Sequence, residues 1–314
     1  VDVKKIKLYG KSAYVLLFVL SFVLFLFLTF PYGVLKESIS NMVAKTTGID
    51  MRIGEMSPSL PLGFDFSKVS LGSVGGGPTV EFEEAEVGVS LLNLFIGALA
   101  VDVSVVDVKE GTLDATVKFS LYDMIFKKSF LPYRIDLETD RLGTGQLIAF
   151  GLDKALNVPS NPTSQMVVGL LDQLKIDGKL TGHVALNLDK KDFSQSSGSI
   201  DLVVKNAELK IDPALDMSNQ TFSKAVFKGS MVGGDFNISK DSGFHTQELM
   251  IDFSGNVKLR PQLQQSVLNV MISLKLDKGL KEKFGFIIDA KGGTGGMLKI
   301  SIKGTMANPY VVAS

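Results

Sequence analysis

The stretch that most limits this chain is Ala13 to Phe30, AYVLLFVLSFVLFLFLTF, which carries no charge, no Gly and no Pro. As a helix of about 18 residues it would span roughly 27 Å, close to the hydrocarbon thickness of a bilayer. Its apolar residues surround the axis, leaving no polar face for water. Tyr14 and Tyr32 bracket it as interfacial aromatics do, and Pro31 ends it. A buried core helix and a signal peptide are the alternatives. The first needs a large protein around it, and Thr29-Phe30-Pro31-Tyr32 offers no small-x-small cleavage site to the second. A retained membrane anchor over 13–31, with Ala13, Leu16, Leu20, Leu24, Leu28 and Phe30 among its residues, is the expectation.

Lys4, Lys5, Lys7 and Lys11 precede the run, while Lys36 and Glu37 follow it without a cluster. The positive-inside rule then places a basic tail (1–12) in the cytoplasm and the bulk of the chain across the membrane. In a Gram-negative bacterium this is an inner-membrane protein with a periplasmic domain. Lys plus Arg and Asp plus Glu both total 33, so no net field favours nucleic acid. The absence of Cys excludes disulfides and thiolate chemistry.

Beyond the anchor, 32–48 reads as an amphipathic helix. Leu35, Ile39, Met42 and Val43 form one stripe, and Gly48 suits the position after its end. From Ile49 the period changes to two, and 49–143 reads as an N-terminal β region. Within it Ser57-Pro58-Ser59-Leu60-Pro61 is expected to be a loop, and Ser90 to cap a short helix carrying Leu91, Leu92, Leu94, Phe95 and Leu99. A helical segment is expected at 144–177. One helix would carry Leu147, Ile148, Leu152, Ala155 and Leu156, and a second Met166, Val167, Leu170, Leu171 and Leu174.

The region 178–314 reads as antiparallel β, with strands that are apolar on one side and wet on the other. Leu186, Leu202, Leu249, Ile251, Phe253, Val270, Ile272 and Leu274 fall on the apolar side. With few helices to cover them, they are candidates for an apolar groove. A change of phase near Asn206 suggests a β-bulge.

The order of anchor, helix, "TTGIDMRIGEMSPSLPLGFDFSKVSLGS", the "SLLNLFIG" helix from Ser90 to Gly97 and the tail "GTMANP" from Gly304 to Pro309 resembles the AsmA-like proteins of Gram-negative envelopes. It looks closest to the GspN family, the N component of the type II secretion system, in its longer form. The resemblance implies a mainly β fold: an elongated, curved antiparallel sheet with an apolar groove and a few short amphipathic helices, hung from the inner membrane. It also implies an accessory, non-enzymatic part of the secretion apparatus. The alternative within the superfamily is a lipid-binding or lipid-transfer module. Partners would be the inner membrane, other secretion subunits or copies of the chain itself, and lipid acyl chains.

No chemistry competes with that reading. His183 and His245 sit at polar positions, and neither belongs to a zinc motif. Gly292-Gly293-Thr294-Gly295-Gly296 lacks the Lys-Ser/Thr of a phosphate loop and reads as a hairpin turn. No nucleophile elbow is present, and Asp189 to Asp192 reads as a charged turn. No catalytic residue, cofactor or metal is expected, and no nucleic-acid partner.

Overall fold

The computed structural model describes residues 32–59, 62–73, 78–108, 111–129, 131–148, 150, 174–189, 191–211, 218–260, 262, 265–290 and 292–313, together with Tyr14, Phe18, Ser21 and Phe25. These last four are helical, and Tyr14, Phe18 and Phe25 are exposed. The rest of the 13–31 stretch, including Ala13, Leu16, Leu20, Leu24, Leu28 and Phe30, lies outside the described residues. Among the described residues no helix is long and apolar enough to cross a membrane.

The chain is mainly β, and among the described residues 17 strands join one antiparallel sheet. They are β1 (Ile49–Arg52), β2 (Glu55–Ser59), β3 (Gly63–Ser73), β4 (Val80–Val89), β5 (Ala98–Asp107), β6 (Thr112–Ser120), β7 (Arg134–Gly143), β8 (Leu174–Asn187), β9 (Ser197–Ile211), β10 (Gln220–Thr221), β11 (Lys224–Val232), β12 (Asp235–Ile238), β13 (Gly243–His245), β14 (Leu249–Lys258), β15 (Val267–Leu276), β16 (Met297–Thr305) and β17 (Pro309–Ala313). Pairing follows chain order, a meander in which each strand lies beside the next. In three places two short strands share one rank. β1 and β2 both pair with β3, β10 and β11 both with β9, and β12 and β13 both lie between β11 and β14. Among the described residues β17 pairs with β16 alone, and β1 and β2 with β3 alone.

Among the described residues the sheet is accompanied by α1 (Tyr32–Thr47), α2 (Leu91–Phe95), α3 (Leu121–Phe126) and α4 (Lys278–Ala290). A further helical turn occupies 144–148. α1 ends at Gly48, whose φ of 67° reverses the chain into β1. It then runs back alongside the first rank, because Lys36 Nζ donates to Gly54 O at 3.0 Å and Ile39 packs on the cluster of Ile53, Phe66 and Val69. α1 is therefore antiparallel to β1 and β2, and its first residues lie toward the end of the sheet where β2 turns into β3. α2, between β4 and β5, and α3, between β6 and β7, stand at that same end. α4, between β15 and β16, stands at the other.

Several local expectations change. Glu55–Ser59 is strand β2, not a loop. Pro58 is accommodated because β2 is an edge segment, where one missing N–H breaks no inner ladder. β8 begins at Leu174, inside the stretch read as helical to 177, and 151–173 lies outside the described residues. The glycine-rich run 292–296 links α4 to β16 and is not a β-hairpin. Positive φ at Gly292, Gly295 and Gly296 makes that tight return. The bulge near Asn206 is present. The β8–β9 register shifts between Asp177 and Lys179, and Asn206 has φ 50°.

Candidate functional site

Strand registers show which side chains share a face, since residues directly opposite one another in a ladder point the same way. Starting from Phe253, the ladder leads to Ile272 on β15 and then to Ile300 on β16. On the other side of β14, Ile251 faces Phe244 of β13, which faces Ala225 of β11. Phe227 faces Leu202 of β9, Leu202 faces Gly182 of β8, and Ile200 faces Val184. Val184 faces Leu137, then Ala115, Val103, Val87 and Phe64. One apolar face thus runs unbroken from β3 to β16, and the eight groove candidates all belong to it.

Their burial differs. Leu249 is fully buried beneath α4, in a core with Leu276, Leu280, Phe284, Ile288, Leu298, Leu209, Ile211, Phe222 and Ala225. Of the eight groove candidates it is the one buried in this core. Ile251 and Leu274 pack against that core and are partly buried. Phe253, Ile272, Val270, Leu186 and Leu202 are only half-buried. A second packed cluster lies under α1, around Ile53, Phe66 and Val69. Between the two clusters Val103, Ala115, Leu137, Val184 and Ile200 are half-buried as well.

An apolar cavity of about 180 Å³ opens on this face, lined by Leu147, Ile148, Leu180, Leu202, Val204, Phe227 and Phe244, with Thr144 and Ala225. Four Phe rings lead toward it. Phe222 meets Phe244 edge to face at 6.1 Å, and Phe253 meets Phe227 at 5.9 Å. Sequence reasoning missed Phe227, Phe244 and the whole of α4. The signal for α4 was present in Leu280, Phe284 and Ile288, a stripe spaced by four.

The opposite face is polar. On its N-terminal half a depression of about 710 Å³ is lined by Glu86, Asp102, Asp114, Asp136, Glu138 and His183, among others. Asp65 stands directly opposite Glu86, and Asp114 opposite Glu138, pairings that repel. Part of this charge is answered locally. Thr116 Oγ1 donates to Asp102 at 2.6 Å, and Arg134 pairs with Asp136, whose carboxylate raises the guanidinium pKa above its ordinary value. Among the described residues no group of three or more His, Asp or Glu is arranged to hold a metal ion.

His183 is exposed on this polar face, opposite Glu138 on one side and Asp201 on the other. His245 Nε2 contacts Asp252 Oδ1 at 2.7 Å across the β13–β14 pair, a structural contact away from any nucleophile pattern. Asp189 Oδ1 accepts the backbone N–H groups of Lys191 and Asp192, so the charged turn is a self-bonded loop.

No family model, no curated protein and no solved structure matches the chain.

Proposed function

We propose that this chain is a non-enzymatic envelope protein, anchored in the bacterial inner membrane by 13–31 with its bulk in the periplasm, and that it serves as a structural, accessory component of the type II secretion system. The GspN-like order of anchor, helix and strand motifs supports the assignment to secretion. The observation that carries the binding role is the unbroken apolar face, packed under α1 and α4 but half-buried between them. A surface built this way offers contact to another apolar body. Its half-buried stretch between α1 and α4 is an elongated groove in the AsmA-like sense.

A second reading follows from the same face. The cavity at Leu147, Ile148, Phe227 and Phe244 is lined almost wholly by carbon, a surface suited to an acyl chain. On this reading the chain binds or transfers lipid between the two membranes.

Deletion and photocrosslinking in the native host test both readings. Loss of extracellular enzyme release on deletion, with crosslinks from Phe253 and Ile272 positions to secretion subunits, supports the accessory role. Crosslinks from those positions to phospholipid, with secretion intact, favour lipid binding. Crosslinks to neither, with secretion intact, would overturn both.

A further inference from the structure

The turn that follows α2 meets the start of α3, Leu121 N–H donating to Gly97 O at 3.0 Å. The two helices stand at one end of the sheet, its tip, and each exposes apolar side chains there. Leu92 is 80% exposed, Ile96 78%, Tyr122 62%, Ile125 66% and Phe126 73%. Five large apolar side chains exposed on and just after two short helices at one end of the sheet point to an interaction surface.

The chemistry around the patch narrows its partner. Tyr122 and Phe126 stack with ring centroids 5.1 Å apart, and Lys127 Nζ stands 5.4 Å from the Tyr122 ring centroid. Lys127 and Lys128 are exposed beside them. The single acid on α3, Asp123, is paired with Lys127 at 2.8 Å. On α3, aromatic and aliphatic side chains flanked by two lysines suit the boundary between acyl chains and anionic headgroups, where the rings bury their bodies and the amines reach phosphate, while Leu92 on α2 borders the acidic depression of the polar face.

The position narrows it further. Because α1 runs antiparallel to β1 and β2, its first residue, Tyr32, lies toward the end of the sheet that carries α2 and α3. Val108, in the β5–β6 turn, lies at the opposite end.

We infer that the α2–α3 tip is a second membrane contact, bedding Leu92, Ile96, Tyr122, Ile125 and Phe126 in the interface of the bilayer that holds the anchor. Lys127 and Lys128 meet anionic phospholipid headgroups there. The inference rests on reading 13–31 as that anchor. A single helical tether leaves the domain free to swivel, whereas a second foot sets the sheet at one attitude to the membrane.

The chain has no Cys, so single cysteines report cleanly. Full-length Leu20→Cys, Leu92→Cys, Ile125→Cys and Val108→Cys, each carrying an environment-sensitive fluorophore, are reconstituted in vesicles of phosphatidylcholine and phosphatidylglycerol containing a doxyl-labelled phospholipid. The expected result is quenching at positions 20, 92 and 125 and none at 108. Quenching at 92 and 125 should weaken in vesicles of phosphatidylcholine alone. With the label at 92, adding Ile125→Ser and Phe126→Ser should remove the quenching without lowering the melting temperature, since both side chains are exposed. Quenching at 20 with none at 92 and 125 overturns the proposal and leaves the anchor intact. No quenching at 20 overturns the anchor and the proposal together. Labels at 92 and 125 that are shielded from aqueous iodide yet unquenched by lipid mean that protein covers the tip, which also overturns it.

Discussion

Phe244 and Phe253 meet edge to face from neighbouring strands, their ring centroids 5.7 Å apart and their planes at 85°. The geometry is the favoured one for aromatic quadrupoles. The pair also marks a boundary. Through Phe244 it reaches Phe222 and the core under α4, while Phe253 leads outward to Phe227 and the half-covered stretch.

Truncations across that boundary should differ in cost. Leu280 is wholly buried, and Leu280→Ala should lose about 2–5 kcal/mol, because its neighbours cannot collapse into the space. Phe253→Ala should cost less than the roughly 3–5 kcal/mol typical of a buried Phe, since part of its ring already faces outward. Urea unfolding of the two variants checks the order. A Phe253→Ala loss equal to or above that of Leu280→Ala would show that the face is closed.

Gly255 sits in β14 at φ 114°, and a Cβ there would stand 2.0 Å from Asn269 O on β15. Backbone cannot give way as a side-chain tip can. Gly255→Ala should therefore separate β14 from β15 and destabilise the protein by at least about 1–3 kcal/mol from conformational strain alone. Hydrogen exchange at Asn269 and Val270 should rise in the variant. Unchanged protection there would contradict this account.

Asp107 is buried and ties the β5–β6 turn to the end of β7. Its Oδ1 accepts the Gly111 N–H at 3.1 Å and its Oδ2 the Gly143 N–H at 2.6 Å. Asp107→Ala leaves both N–H groups without this acceptor, at a cost of about 1–3 kcal/mol for each one left unsatisfied. Thermal melting measures the loss, and Asp107→Asn, which keeps one acceptor oxygen, should recover part of it.

Asp192 caps the single turn at Phe193–Gln195 by accepting the Ser194 N–H at 2.9 Å. Its bonds to Ser194 hold the carboxyl below its ordinary pKa. With the folded pKa depressed, the stabilisation is present above the unfolded carboxyl pKa and fades as pH falls through the folded one. A carbon-detected NMR titration should show Asp192 protonating at lower pH than a model aspartate, and Ser194→Pro should move it back.

Alternation alone made the strands legible. Ile200, Leu202 and Val204 against Ser199, Asp201 and Lys205 have one reading, because period two can satisfy only a half-covered sheet. The bulge at Asn206 was legible for the same reason, since an extra residue inverts the phase. β2 was not, because Ser57, Pro58 and Ser59 carry loop chemistry and only pairing with β3 makes them a strand. The candidate face was legible as a set of residues on one side, but Leu249 and Phe253 look alike in sequence, two steps apart in phase.

Local pattern therefore determined that this chain carries a long apolar run and, after it, strands with one wet and one dry side. Which part of the dry side is sealed was decided by tertiary structure, through α4 seating Leu280, Phe284 and Ile288 over Leu249 and α1 seating Ile39 over Phe66. The same holds for the α2–α3 tip. Leu92 and Phe126 lie far apart in sequence, and only the meander sets both of their helices at one end of the sheet. Burial is a property of what lies opposite a side chain, and residues far apart in sequence meet only when the registers of the sheet are set.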